Sequence, residues 1–265
     1  MALLFTPLKM GAQTLPNRIC VPPMCCCLAR EGVGSDELIA HYEKLAASGA
    51  GLVVIEATAV RADGRITTRC LGLYNDEQER FFKRLLKACR AVAPAETKFF
   101  LQLSHCGRKG SRKDPKTGHG TLLPEEGGFA LMAPSAVAYT PQAPMPREMT
   151  EADIDRMLQA FEAAAHRAAR VGFDGIQIHA AHGYLVHQFL SPVTNRRTDN
   201  WGGSLQNRQR FALEVVKAVQ RGAPELDVMV RLSACDWMPN GAGEEQALSL
   251  ACALAAINIC AVDVS

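Results

Sequence analysis

Gly175-Ile176-Gln177-Ile178-His179-Ala180-Ala181-His182-Gly183-Tyr184 reads as a short apolar strand that runs directly into ionisable side chains. A helix precedes it. Thr150 followed by Asp153 resembles a capping box, and Ile154, Leu158, Phe161, Ala165 and Ala168 keep helical spacing up to Gly172. A capped amphipathic helix leading to a strand that is apolar along its length fits a parallel sheet covered by helices. In barrels of that kind, functional groups sit at the C-terminal ends of the strands. The two histidines and the tyrosine stand at such an end.

The same unit recurs outward in both directions. Strands are expected at Arg18–Val21, Leu52–Ala57, Lys98–Leu103, Gly175–His179, Val228–Leu232 and Cys260–Val264. Ser35 can cap a helix carrying Leu38, Tyr42, Leu45 and Ala46, closed by Gly49. Asp76 opens another with Phe81, Leu85, Cys89 and Val92 on one face. Ser204 starts a fourth, and Glu244 or Glu245 a fifth. This alternation implies βαβ units in a barrel or an open doubly wound sheet. No G-x-G-x-x-G follows the first strand, which removes the main support for a dinucleotide-binding open sheet. Residues 1–265 read as one domain, in which the Gly- and Pro-rich segment 106–149 is a functional loop or lid.

Composition excludes several classes. The net charge of +2 comes from scattered Lys and Arg, so no basic stripe suits nucleic acid. The ten cysteines contain no C-x-x-C pair, so zinc and iron–sulfur sites lack their usual spacing, and no metal is expected. They read as reduced thiols of a cytoplasmic protein. The N-terminus lacks a signal-peptide pattern. The most apolar stretch, Ala247 to Val262, is shorter than the roughly 20 residues of a membrane span and reads as a buried helix followed by a buried strand.

Polar residues end five of the strands. Strand one runs into Pro22, Pro23, Met24 and Cys25, and strand two into Glu56 and Ala57. Strand three gives Gln102, His105, Arg108 and Lys109, strand four His179, His182 and Tyr184, and strand five Arg231, Ser233 and Asp236. His179 and His182 can supply two N–H donors to a developing oxyanion. A metal pair and satisfied core histidines are the other readings, though no third ligand stands nearby. Tyr184 is either a proton donor or a packed aromatic with a hydroxyl partner.

In order along the chain, these segments resemble the Old Yellow Enzyme (NADH:flavin oxidoreductase) family. The resemblance rests on Asn17-Arg18-Ile19 with Pro23-Met24-Cys25, on Glu56-Ala57-Thr58-Ala59-Val60 with Gly64-Arg65-Ile66-Thr67, and on Gln102-Leu103-Ser104-His105-Cys106-Gly107-Arg108-Lys109. The run from His179 to Arg210 is the most specific, with Phe189-Leu190-Ser191-Pro192, Asn195, Arg197-Thr198-Asp199 and Trp201-Gly202-Gly203-Ser204.

The resemblance implies a TIM (β/α)8 barrel holding FMN, reduced by NADPH or NADH, that reduces the activated C=C bond of α,β-unsaturated carbonyl compounds. It assigns His179 and His182 to the substrate carbonyl and Tyr184 to protonation. Pro23, Met24, Cys25, Ala57, Gln102 and Arg231 fall around the flavin, with Arg231 near its N1 and O2 and Cys25 tuning it. Lys109 is a further substrate-side residue. The expected partner is a small-molecule enone, with no nucleic acid and no membrane, and with a homo-oligomer as an option. Cys27 stands where the bacterial subgroup often has Tyr, Pro22 where a small residue is usual, and Asn258 where a helix-ending Gly is common. About six strands are present, and strands seven and eight, where the family holds the FMN phosphate, would follow Ser265. The expectation is therefore weak FMN retention and self-association through open strand edges. A catalytically silent fragment or a binding subunit is the alternative to an enzyme. The family's longer branch, of dienoyl-CoA reductase type, carries cluster cysteines beyond the barrel.

Overall fold

The structure is a computed structural model that describes residues 2–116 and 118–265. Six strands form the main path of one parallel sheet: β1 (Cys20–Val21), β2 (Leu52–Ala59), β3 (Lys98–Ser104), β4 (Gly175–Ala180), β5 (Asp227–Leu232) and β6 (Ala261–Val264); the two-residue strand Leu71–Gly72 pairs with β2 off that path. Their order in space is their order in the chain, with β1 and β6 at the two edges. Each connection carries a helix: α1 (Asp36–Ala46), α2 (Asp76–Val92), α3 (Glu151–Val171), a short α4 (Leu185–Leu190) followed by α5 (Leu205–Gly222), and α6 (Glu244–Ala255).

The helix starts follow local chemistry. Ser35 accepts from the Leu38 amide, Thr150 and Asp153 form a complete capping box, and Ser204 accepts from Asn207. Asp76 is the first residue of α2, and Asn75 before it is the cap, because its side chain takes the Gln78 amide while Gln78 reaches back. Val92 turns outward at 45% exposure, since α2 ends there without a partner to cover it.

Two apolar layers result. Outer faces of the strands pack on the helices around Val53, Ile55, Phe99, Leu101, Phe161 and Phe211. Inner faces pack Leu52, Val54, Phe100 and Met229 against Met10 and Leu15. Those last two belong to a hairpin, Leu8–Met10 with Gln13–Leu15, that the sequence reading did not anticipate. It plugs the N-terminal end of the sheet. Asp227 accepts from the Ala12 and Gln13 amides, and Gly11, at φ +58°, leaves room for the Asp227 carboxylate where a Cβ would stand.

Two expectations are corrected. Strand one is only Cys20–Val21, because the Asn17 side chain binds the Gly51 amide and the Gly49 carbonyl and so turns the approach into a loop. The Ala247–Val262 stretch is not deeply buried: α6 buries only Leu250 and Leu254, Leu248 is 66% exposed, and β6 is half-buried at the sheet edge. Cys252 is exposed as well, and all ten cysteines are free. Asn258 replaces glycine at little cost because it takes φ +61°, a conformation Asn tolerates. No helix among the described residues is long and apolar enough to cross a membrane.

Candidate active site

Strand alternation builds the site on one face. Above the inner layer of Leu52, Val54, Phe100 and Met229, the next inward positions are Gln102 on β3, Gln177 and His179 on β4, Arg231 on β5 and Asp263 on β6. Register aligns them: Gln102 pairs with Gln177, and His179, Arg231 and Asp263 stand abreast. Gln102 Nε2 donates to Gln177 Oε1 at 2.6 Å, and Gln177 Nε2 donates to Asp263 Oδ2 at 3.0 Å. Arg231 lies 3.4 Å from the same carboxylate, yet its buried Nε has no hydrogen-bond partner among the described residues. A buried guanidinium N–H left open is costly unless something else accepts from it.

A bulge places the β2 contribution. Register with β3 shifts between Ile55 and Thr58, so Glu56 and Ala57 leave the regular ladder. Glu56 is 1% exposed, accepting from the Cys26 amide at 3.1 Å and meeting Tyr42 Oη at 3.4 Å. Burial raises its carboxyl to about 7, against the pull of those hydrogen bonds. Glu56 thereby holds the segment Pro23-Met24-Cys25-Cys26 in place. Met24 and Cys25 reach the surface of that segment. The flanks of the Cys25 sulfur are nevertheless enclosed, and this desolvation, with Cys70 and Glu56 nearby, raises its pKa well above the ordinary range. It is a thiol at neutral pH.

The β4 end brings three of the expected residues together. The ring centroids of His179 and His182 are 5.0 Å apart, and those of His179 and Tyr184 are 4.9 Å apart, both edge to face. His182 turns the chain at φ +59°, its amide donating to Ser233 Oγ and its carbonyl accepting from Lys109 Nζ at 2.7 Å. Burial lowers His179 to about 3 and also lowers His182, with Arg231 and Lys109 adding to both. Both rings are neutral at neutral pH. Burial raises Tyr184 well above a free phenol, so it keeps its proton. Lys109 sits 5.0 Å from the Tyr184 ring centroid, half-buried rather than solvated.

Behind the two histidines lies a clamp that sequence reasoning left without a role. His187 Nε2 meets Asp236 Oδ1 at 2.7 Å, Ser191 Oγ donates to Asp236 Oδ2 at 2.6 Å, and the Ala242 amide donates to the same oxygen at 2.7 Å. These bonds lower the Asp236 carboxyl despite its burial. The clamp ties the loop after β5 to α4 and frames a cleft of about 350 Å³ that Lys109, Tyr139, His182 and Trp237 also line. Gln177 and Asp263 were missed too, although the two-residue period from His179 back to Gln177 signals a shared face. Among the described residues no cluster of three or more His, Cys, Asp or Glu could hold a metal ion.

The sequence model of the NADH:flavin oxidoreductase / NADH oxidase family matches residues 3–265. An NADH:flavin oxidoreductase of Gibberella zeae is 42% identical over 238 residues, 88% of this chain and 57% of the relative. An NADPH dehydrogenase of Listeria welshimeri is 40% identical over 267 residues, 100% of this chain and 73% of the relative. Among solved structures, an Old Yellow Enzyme homologue from Zymomonas mobilis superposes with a TM-score of 0.84 at 30% identity, covering 98% of this chain and 72% of that one. The chain thus spans just over half the length of the first relative and nearly three quarters of the other two. Such neighbours are TIM barrels, and the curled sheet β1 to β6 is part of that fold.

Proposed function

The chain belongs to the NADH:flavin oxidoreductase / NADH oxidase family, whose members use FMN with NADH or NADPH, and from that premise we propose that it reduces the activated C=C bond of α,β-unsaturated carbonyl compounds. The observation that carries the proposal is the convergence of two neutral imidazoles and a protonated phenol beside a cation whose buried N–H is unpartnered.

The residues fit a flavin. Arg231 offers its open Nε–H and positive charge to the electron-rich edge of the ring, and Gln102 keeps its carbonyl oxygen for a ring N–H because only its Nε2 is engaged by Gln177. Pro23, Met24, Cys25 and Ala57 would flank the ring from β1 and the β2 bulge. When bound, the flavin supplies hydride received from the nicotinamide. His179, protonated on Nε2, and His182, whose Nε2 meets Ser265 Oγ when no substrate is bound, donate to the substrate carbonyl oxygen, where negative charge develops. Tyr184, kept neutral by burial, gives its proton to the α-carbon. Lys109 orients the turn by holding the His182 carbonyl.

The test is a visible spectrum of the purified protein followed by NADPH oxidation with and without 2-cyclohexenone under nitrogen. With FMN added to offset the weak retention expected of this chain, flavin absorbance that stays with the protein and enone-dependent oxidation are expected. NADPH oxidation that proceeds only with oxygen and ignores the enone would leave an oxidase and remove the ene-reductase reading. A colourless protein that FMN cannot reconstitute would favour a binding subunit.

A further inference from the structure

Three cations gather around Tyr139, which lines the cleft together with Arg108 and Lys109. Lys109 Nζ stands 5.0 Å from the Tyr139 ring centroid, and the guanidinium carbons of Arg112 and Arg108 stand 5.8 Å and 6.0 Å from it. None of the three takes part in an ion pair among the described residues. Elsewhere the chain pairs its arginines readily, as in Arg197 with Asp199 and Arg167 with Glu79.

The cations are also anchored. Arg108 gives Nη1 to the Val137 and Ala138 carbonyls, and its amide to Gln188 Oε1. Its Nε is buried with no partner. The Arg112 amide binds the Ile66 carbonyl. Burial lowers the pKa of both Arg108 and Lys109, and the neighbouring cations lower them further. Like charges held this close on pinned backbones repel unless an anion sits among them. The same Lys109 lies 5.0 Å from the Tyr184 ring, so this cluster and the reaction centre share one wall.

We propose that Arg108 and Arg112, gathered with Lys109 around Tyr139, bind a phosphate group of the molecule whose reactive end reaches His179 and Tyr184. That molecule is a phosphorylated nicotinamide donor or a substrate activated as a phosphate-bearing thioester. Its reactive end rests on the reading given under Proposed function; the anion subsite does not. Guanidinium groups suit phosphate because their N–H forks match two oxygens at once. Tyr139, 40% exposed, supplies a face on which the guanidinium planes are held apart and oriented.

The test uses inorganic pyrophosphate and isothermal calorimetry on the purified protein, which needs neither turnover nor bound flavin. Wild type should bind pyrophosphate, and Arg108→Gln and Arg112→Gln should each weaken it by roughly tenfold, the value of one hydrogen bond to a charged group. Unchanged melting temperatures in both variants would show that folding is intact. Raising the salt concentration should weaken wild type more than either variant. Competition then identifies the source. Displacement by NADPH but not NADH points to the 2′-phosphate, displacement by both to the pyrophosphate bridge, and displacement by coenzyme A alone to a thioester substrate. No binding to wild type at millimolar pyrophosphate, or equal binding by wild type and both variants, overturns the proposal. If pyrophosphate binds as expected while the enone remains unreduced, the ene-reductase reading fails and the subsite stands.

Discussion

The Ala181 amide donates to Nδ1 of His179 at 3.3 Å, which places the proton of the neutral ring on Nε2. With burial holding the ring near 3, His179 is a fixed neutral donor across the physiological range. His179→Ala should therefore weaken binding of phenolic ligands such as 4-hydroxybenzaldehyde by at least about tenfold, as loss of a hydrogen bond to a charged acceptor does. Flavin content should not change. Spectral titration checks it, and a variant that titrates as wild type does would remove His179 from the carbonyl site.

The same shift predicts a pH dependence of stability. An unfolded histidine protonates near 6.5, whereas His179 in the fold stays neutral down to about 3. Its contribution is complete above 6.5 and is lost as pH falls from 6.5 towards 3, at no more than about 1.4 kcal/mol per pH unit. Glu56 has the opposite sign. Its folded carboxyl keeps a proton up to about 7, against 4.5 unfolded, so stability declines as pH rises from 4.5 to 7. Urea unfolding of Glu56→Gln should show less decline over that window than wild type. Parallel curves would mean that Glu56 is ionised in the fold.

Tyr184→Phe separates the half-reactions. Removing a positioned proton donor costs roughly 10²- to 10⁴-fold in the step that uses it. Alkene reduction should slow by that factor, while reduction of the flavin by NADPH stays close to wild type. Stopped-flow measurement of both steps decides the matter. Equal slowing of the two would make Tyr184 part of the packing against His179 and nothing more.

Local signals were the legible part of this chain. Ser35, Thr150 with Asp153, and Ser204 cap their helices as the residue pattern implies, because a cap needs only three residues of context. The β4 end was legible for the same reason, since His179, His182 and Tyr184 are close in sequence. What stayed hidden is non-local. The bulge that redirects Glu56 exists only in the pairing of β2 with β3. The Asp236 clamp joins residues 45 and 49 positions apart, and the hairpin under Phe100 is fastened by Asp227. The cation cluster around Tyr139 joins Arg108, Lys109 and Arg112 to a tyrosine far along the 106–149 segment, which spacing alone does not reveal. Strand one was drawn too long because the loop-forming bonds of Asn17 reach Gly49 and Gly51, more than 30 residues away.

The floor of the site makes the last prediction. A Cβ at Gly175 would fall 2.3 Å from Phe100 Cζ, and Phe100 is fully buried among Leu52, Val54 and Met229. The ring cannot retreat without displacing that layer, on which Gln102 and Gln177 rest one inward position above. Gly175→Ala should therefore destabilise the protein by about 1–3 kcal/mol through overpacking. Phe100→Leu alone should also destabilise, by leaving space beneath the polar layer. Combined, the two changes relieve each other, because the smaller side chain vacates the volume the new methyl needs. The double variant should be less destabilised than the sum of the singles by more than about 0.5 kcal/mol, beyond the scatter of independent sites. Thermal or urea unfolding of the four proteins measures the coupling. Strict additivity would show that the backbone at Gly175 shifts instead, and that the interior layer under the site is softer than its packing implies.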